Sequence, residues 1–322
     1  MNEEITLMDR IKKLYRPVGK ITDYIPLSAA ITFILVLVSS MVGLFITAWL
    51  LPPAQTRSPA MQMFAMYFNT IGAWVVALLL ILILPGNHKM LKAAGPGMKG
   101  NTLKWILYGI LIGFGANTFC VLMSILFKDI SLSFSQFSIG WCLALFFAVM
   151  IQSGSEELLC RLYMFQKLRR RYKSPWVAVV VNSVFFGALH MGNQGANFFG
   201  IAQCVIFGFL ASILVWKYKS FWGAVFAHTA WNFTQNILFG LPNSGVVPVY
   251  SFFRLDAASG GLFFDPGFGV EGSPGACLLL TAITIGLLVY AFRNNLEEQD
   301  IWKEDEDRIL AEQAQEVQSE TA

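Results

Sequence analysis

Polar residues whose chemistry suits hydrolysis interrupt apolar stretches in the second half of the chain. Carboxylates and imidazoles exchange protons near neutral pH, and both also bind metal ions. Ionisable groups inside membrane-spanning segments are costly to bury and therefore mark candidate functional sites. The candidates within or at the ends of apolar stretches are Glu156, Glu157, Arg161, His190, His228 and Asn232.

The two adjacent glutamates are predicted to have different roles. Residues four apart share one face of a helix, so Glu157 and Arg161 can form an ion pair that lowers the cost of burying both. Glu156 is rotated by about 100° from Glu157 around the helix axis, so it points elsewhere and gains less from Arg161. A carboxylate without a cationic partner is available as a general base. We therefore predict a structural role for the pair and a catalytic role for Glu156.

The same four-residue spacing puts His228 and Asn232 on one helical face, where both can be directed at one water, one metal ion or one oxyanion. His190 follows Phe186 by one turn on another helix. A single histidine in a membrane helix is commonly a packing residue. Two histidines together with an unpaired glutamate and an asparagine favour a shared site instead.

The elements that must position these residues are membrane helices. The chain has 322 residues, of which 56% are hydrophobic and only 13% charged, whereas a soluble domain has roughly 25% charged residues. Apolar runs of about 20 residues recur, and they do not alternate as the strands of a membrane barrel would. The sequence predicts an all-α, polytopic integral membrane protein with about eight transmembrane helices, at 29–51, 62–84, 105–127, 139–165, 176–191, 197–216, 221–240 and 275–293.

Basic residues indicate the orientation, because cytoplasmic loops are enriched in Lys and Arg. They are frequent after the second, fourth, sixth and eighth predicted spans, whereas the alternate loops contain only Arg57, Lys128 and Arg254. We therefore predict that both termini are cytoplasmic and that the protein lies in the cell membrane. No basic block interleaved with aromatic residues supports nucleic-acid binding. The five cysteines include no CxxC pair and are interpreted as small apolar side chains rather than as disulfides or metal ligands.

The predicted organisation has three parts. Residues 1–28 are a cytoplasmic segment in which Leu7, Ile11 and Leu14 suggest a short surface helix, and residues 29–293 are the transmembrane domain, with its catalytic core at about 139–240. The acidic residues 294–322 are expected to be a solvated, partly disordered cytoplasmic tail. The Gly- and Pro-rich segment 241–274 is expected to be a packed external loop, with a lid over a site as the alternative.

Helix geometry predicts the relative levels of the candidate residues. Glu156 precedes the turn at 173–175 by 17 residues and His190 follows it by 15, which places them about 26 Å and about 23 Å from the turn. His228 is seven residues past Phe221, or only about 10 Å along its helix. The spacing therefore brings Glu156 and His190 level but leaves His228 lower, unless the seventh helix starts deeper or is tilted.

The three groups together resemble the signature of the CPBP family of intramembrane proteases, the CAAX-protease and bacteriocin-processing group also called Abi. That signature is EExxxR, FxxxH and HxxxN/D in this order on successive core helices. Each motif is weak alone, but the ordered trio is specific. The chain has Glu156-Glu157-Leu-Leu-Cys-Arg161, Phe186-Gly-Ala-Leu-His190 and His228-Thr-Ala-Trp-Asn232.

This resemblance implies an eight-helix endopeptidase in which Glu156 activates a water for attack on a peptide carbonyl. His190, His228 and Asn232 would hold the water or stabilise the oxyanion. Glu157, Arg161 and Phe186 would support them. The family has been discussed both as zinc-dependent and as metal-free, and the residues permit either, with Glu156, His190 and His228 as the zinc ligands.

The predicted partners are the lipid bilayer and a membrane-embedded or lipid-anchored peptide or protein substrate. Two other classes of function stay open at this point. Intramembrane carboxylates and histidines also form proton relays, so a proton-coupled transporter is one alternative. The other is a non-catalytic immunity or scaffold factor that uses the same fold. A cleavage assay on membrane peptides distinguishes all three.

Overall fold

The computed structural model describes residues 14–321, with side chains up to residue 319. Of the predicted surface helix, Leu7 and Ile11 lie outside the described residues. The described chain is built almost entirely from helices. They are α1 (Ile25–Leu50), α2 (Pro59–Phe68), α3 (Ile71–Ile83), α4 (Leu103–Leu126), α5 (Ile139–Glu157), α6 (Phe165–Arg171), α7 (Pro175–Leu189), α8 (Phe198–Trp216), α9 (Phe221–Asn232), α10 (Pro274–Arg293) and α11 (Lys303–Thr321).

Within residues 14–321, six helical segments are long and apolar enough to cross a membrane, which confirms a multi-pass integral membrane protein of predominantly α-helical structure. They coincide with six of the eight predicted spans: Ile25–Leu50, Pro59–Ile83, Leu103–Leu126, Ile139–Arg171, Phe198–Trp216 and Pro274–Arg293. The other two predicted spans are also helical. However, α7 has 15 residues and α9 has 12, so the count of eight crossings stays a prediction. All five cysteines are free thiols.

Successive helices run between two opposite faces of the molecule. We call one the basic face, formed by residues 14–24, 84–102, 167–174, 216–220 and 294–306. We call the other the loop face, formed by residues 51–58, 127–138, 190–197 and 239–273. The helices α1, α4, α7 and α9 begin at the basic face, whereas α2, α5, α8 and α10 begin at the loop face.

The central helix is α5, which continues without a break into α6 through a π-helical segment, Leu158–Met164. Every residue from Leu158 to Arg170 is buried, so this part of the helix forms the middle of the core. A π-helix makes i→i+5 hydrogen bonds and often marks a functional site. A second π-helical segment, Phe233–Leu238, continues α9 directly after Asn232.

Glycines in α4 hold α9 close to the centre of the molecule. A Cβ atom added to Gly109 would lie 2.3 Å from the backbone oxygen of Gly223, and one added to Gly113 would lie 2.1 Å from that of Ala227. Real side chains do not tolerate such distances, so only glycine allows the two helix backbones to approach this closely. The contact fixes the helix that carries His228 and Asn232.

The loop face contains a small antiparallel sheet that the sequence did not predict. Strand β1 (Ile130–Phe134) pairs with β2 (Phe253–Ala258), with an irregularity between Ser131 and Leu132. The two strands lie in predicted loops, where each is too short and too exposed to show a clear alternating pattern. Their pairing ties the 241–272 segment to the loop that precedes α5.

The expectation of a solvated tail is wrong for residues 299–302, of which three are buried. Trp302 is 2% exposed, and its indole nitrogen donates to the backbone oxygen of Gln166 at 2.9 Å. The acidic residues of this segment pair with buried arginines: Arg16 with Asp300 at 2.9 Å, and Arg169 with Glu298 at 2.9 Å. Charge complementarity therefore attaches the segment to the basic face. The exposed residues of α11 beyond 310 match the expectation of solvent contact.

Candidate functional site

The predicted site residues converge from three helices on one cavity of about 180 Å³. Glu156 lies in the last turn of α5, His190 caps the C-terminal end of α7, and α9 supplies His228 and Asn232. All four line this cavity together with Met66, Tyr67, Gln152, Asn193, Asn243, Ser244 and Val246.

Glu157 and Arg161 form the predicted pair, with Oε1 and Nη1 3.2 Å apart and both side chains fully buried. The same Oε1 of Glu157 lies 3.0 Å from Nδ1 of His228. The Arg161 guanidinium also lies over the ring of Phe186, with Cζ 4.4 Å from the ring centroid. This pair therefore connects all three motifs from behind the cavity.

Glu156 points away from this pair and into the cavity, as its rotation around the helix predicts. Its side chain is 29% exposed, whereas that of Glu157 is 0% exposed. The Gln152 amide donates to its Oε1 at 2.5 Å. Its Oε2 lies 3.8 Å from Nε2 of His228 and has no hydrogen-bond partner among the described residues. One carboxylate oxygen is thus buried without a hydrogen-bond partner among the described residues.

The partners of both histidines determine which ring nitrogen faces the cavity. Nδ1 of His190 lies 2.8 Å from the backbone oxygen of Phe186. A carbonyl oxygen only accepts, so Nδ1 is the protonated nitrogen and Nε2 is an acceptor. Nδ1 of His228 is held in the same way by the Glu157 carboxylate. In the neutral form of each ring, these contacts make Nε2 the acceptor nitrogen.

The predicted lower level of His228 is wrong, since this residue lies beside Glu156 and Glu157. Helix α9 does not begin at the surface: Ser220 is fully buried and Phe221 is 1% exposed. The backbone N–H of Phe221 donates to the side chain of Asn101 inside the basic face. The turn after α6 and the buried start of α9 therefore lie at different depths. Heights counted from these two points cannot be compared directly.

Asn232 joins the cavity through side-chain amides. Its Nδ2 donates to Oε1 of Gln152 at 3.1 Å, and its Oδ1 accepts from Nδ2 of Asn243 at 3.3 Å. Gln152 in turn donates to Glu156. A chain of hydrogen bonds therefore runs from the segment after α9 to the candidate general base.

Sequence reasoning missed Glu271, which lies in the loop before α10. It is 4% exposed and accepts from Asn243 Nδ2 at 2.8 Å, from Trp231 Nε1 at 3.0 Å, and from both the backbone N–H and the hydroxyl of Ser244, at 2.7 and 2.8 Å. Burial raises the pKa of the Glu271 carboxyl, and the hydrogen bonds from Ser244 oppose this rise. The sequence signal was an acidic residue three positions before an apolar span.

A second cavity, of about 310 Å³, meets the first at Glu156, His190 and Asn193. Its other wall belongs to α1 and to the junction of α2 with α3, including Phe33, Ser39 and Asn69. Phe33 is 48% exposed on the outer surface of the helix bundle. This cavity is therefore a crevice between α1 and the site, open towards the lipid-facing surface.

The predicted zinc ligands do not form a recognisable metal site. Within residues 14–321, no group of three or more His, Cys, Asp or Glu side chains is arranged to hold a metal ion. One nitrogen of each histidine is already bonded to protein, which leaves Nε2 of each and Glu156 Oε2 as donors. Two imidazole nitrogens and one carboxylate oxygen are the donors of some catalytic zinc sites, but the described residues do not gather them in one group. Zinc binding therefore stays a prediction, and no catalytic step is assigned to a metal.

Comparison with known families agrees with the three motifs. Residues 138–234 match the Rce1-like family model, described as type II CAAX prenyl endopeptidase Rce1-like. The match covers the end of the loop before α5 through α9, which includes every motif residue, and it confirms the resemblance to the CPBP proteases. At the family level it supports an intramembrane endopeptidase. No curated protein and no solved structure matches the chain significantly.

Proposed function

We propose that the protein is an intramembrane endopeptidase that hydrolyses a peptide bond of a membrane-associated substrate with a water activated by Glu156. The observation that carries the proposal is Glu156, which lines one cavity with two histidines and whose Oε2 has no hydrogen-bond partner among the described residues. A cavity of about 180 Å³ holds several waters, since one water occupies about 30 Å³ of liquid.

In the proposed reaction Glu156 takes one proton from the water, and the water oxygen forms a bond to the peptide carbonyl carbon. The second hydrogen of the water is accepted by Nε2 of His190 or of His228, whose Nδ1 atoms carry the ring protons, and this contact orients the water. Asn232 stabilises the oxyanion when its Nδ2 hydrogens, which contact Gln152 Oε1 and Ser153 Oγ in this structure, turn to the substrate. Protonated Glu156 then gives its proton to the leaving amine as the C–N bond breaks.

Glu157 and Arg161 act on this reaction indirectly. Glu157 fixes the tautomer and the ring orientation of His228 through the 3.0 Å contact. Arg161 offsets the buried charge of Glu157 and packs on Phe186, the residue whose carbonyl holds His190. The supporting motif residues therefore hold both imidazoles in position.

The test is a cleavage assay with the purified protein in detergent or liposomes and fluorogenic peptides that contain a transmembrane segment. It is run with and without a chelator, since metal dependence is a separate question. We expect cleavage by the parent and by Glu304→Gln, a control with the same chemical change at a side chain that is 84% exposed. Absence of cleavage by the parent, with a cellular phenotype that needs none of the four polar residues, would favour the non-catalytic alternative.

A further inference from the structure

The cavity of the candidate site is lined by loops of the loop face, although Glu156 itself lies about midway along Ile139–Arg171. His190 follows the end of α7 at that face, and the cavity wall includes Asn193, Asn243, Ser244 and Val246 from the same face. The 241–246 segment is attached there, because Nδ2 of Asn193 donates to the backbone oxygen of Ser244 at 2.9 Å. Every loop that contributes to the cavity therefore belongs to the loop face.

The basic face closes the opposite end. All residues from Leu158 to Arg170, which separate Glu156 from the basic face along its helix, are buried. Arg170 is fixed there by Asp23, with Nε 2.6 Å from Oδ2. Among the described residues, the linings of the two cavities beside Glu156 include no Lys or Arg. Among the described residues, neither of these two linings includes a residue of the basic face.

Charge distinguishes the two faces strongly. The segments of the basic face contain thirteen Lys and Arg residues, and those of the loop face contain three. Short loops rich in Lys and Arg remain in the cytoplasm during membrane insertion. The folded arrangement strengthens this argument, because it places the five basic segments together on one side. By this rule the loop face is the non-cytoplasmic side.

The space beside the site also continues to the loop face. A further cavity, of about 590 Å³, shares Asn69 with the crevice beside α1 and shares Met66 with the cavity around Glu156. It is lined by residues near the loop-face end of α1 and α2, including Thr47 and Arg57. The three cavities together connect the lipid-facing crevice, the site and the loop face.

We propose that this site takes its substrate from the non-cytoplasmic side, as the outer juxtamembrane part of a membrane-anchored polypeptide. The inference rests on the proposed function and adds to it the side of the membrane and the class of substrate. The anchor of the substrate lies in the crevice beside α1, which has apolar and small polar walls, and the adjoining extended peptide crosses in front of Glu156.

The position of the site is tested first, without any need for activity. Val247→Cys introduces a thiol beside the cavity wall, at a residue that is 67% exposed. Lys99→Cys is the matched control on the basic face, where the side chain is 83% exposed. With a membrane-impermeant thiol reagent, Val247→Cys should be labelled in right-side-out vesicles and Lys99→Cys in inverted ones, above the background of the parent. The reverse pattern would overturn the proposal.

The substrate side is tested next with two reporters in cells. Each has one Leu/Ala transmembrane helix, and the same randomised peptide is placed beside it either on the outer side or on the cytoplasmic side. We expect the parent to cleave only the outer reporter and Glu156→Gln to cleave neither. Cleavage of the cytoplasmic reporter alone would overturn the substrate side but leave the endopeptidase intact. Failure to cleave both, with labelling as expected, would contradict the proposed function itself.

Discussion

The basic face and the candidate site both bury charged side chains, but they balance these charges differently. In the basic face, Arg170 makes two short contacts with Asp23, at 2.6 and 2.7 Å. At the site, Arg161 pairs with Glu157 at 3.2 Å, and both Glu156 and Glu157 keep an oxygen without a hydrogen bond among the described residues. Breaking the pairs of the first region is expected to affect stability, whereas the unpaired oxygen of Glu156 at the site is expected to matter for chemistry.

The largest effect is expected for Glu156→Gln. The amide keeps the shape and the contact with Gln152 but cannot take a proton, so the cleavage rate should fall by about 10²–10⁴-fold or more. The melting temperature should change little, because a neutral amide is easier to bury than an unpaired charge. His190→Ala and His228→Ala should be similarly inactive, and double variants scarcely worse than single ones. A rate within a few-fold of the parent for Glu156→Gln would exclude it as the general base.

The same Glu→Gln substitution at Glu157 should mainly lower stability, whereas at Glu156 it should mainly lower activity. Glu157→Gln leaves the fully buried Arg161 without its counter-charge, and breaking a buried pair typically costs about 3–5 kcal/mol. We expect a lower melting temperature and a lower folded yield, together with reduced activity because His228 loses its charged partner. Arg161→Ala should also lose stability. Thermal unfolding of both variants at parental temperatures would contradict a structural role for this pair.

In the basic face, Asp23→Asn should reduce stability without changing the chemistry. Arg170 keeps contacts with the oxygens of Gly86 and Asn87. The loss in the free energy of unfolding should therefore be near the lower end of the range for breaking a buried ion pair, about 3 kcal/mol. The rate per folded molecule should match the parent. Asp256→Asn is the matched control, since its partner Arg254 has a side chain that is 71% exposed. Loss of activity in the folded fraction of Asp23→Asn would show that the two regions are coupled.

The smallest effect is expected for Glu271→Gln, which changes one charged acceptor that holds Asn243 and Ser244. A hydrogen bond to a charged group is worth about 1.5–3 kcal/mol, and a glutamine recovers part of it. We expect kcat to fall about tenfold with little change in KM, because the chain of contacts to Asn232 loosens while the crevice beside α1 is unchanged. A fall in melting temperature with normal kcat would reduce Glu271 to a structural residue.

The motif residues were predictable because chemistry and helix periodicity both act locally. Four-residue spacing was enough to predict the pairing of Glu157 with Arg161, and rotation around one helix was enough to turn Glu156 away from it. Contacts across long sequence separations were not predictable. The start of α9 lies below the surface, where the backbone N–H of Phe221 donates to Asn101. The residue spacing within α9 gives no information about how deep the helix begins.

The positions of Glu271 and Trp302 were also unpredictable, because they depend on contacts with residues distant in the sequence. Each is held by residues far away along the chain: Glu271 by Trp231, and Trp302 by Gln166. Composition alone made the acidic tail resemble a solvated end, since the arginines that bind it lie more than a hundred residues earlier. The two short strands were missed for a related reason, because the partner of β1 lies more than a hundred residues later.

The attachment of residues 298–306 to the basic face has a consequence for biosynthesis. Arg16 is among the first described residues, yet its carboxylate partners are Asp300 and Glu306. A growing chain is made at about 5–20 residues per second. Arg16 and Arg169 therefore have no carboxylate partner until residues 298–306 have been translated. The basic face therefore closes only on a chain that has been translated past residue 306. A ribosome that stops after α10 would leave these arginines unpaired, a feature by which quality-control proteases could distinguish incomplete chains.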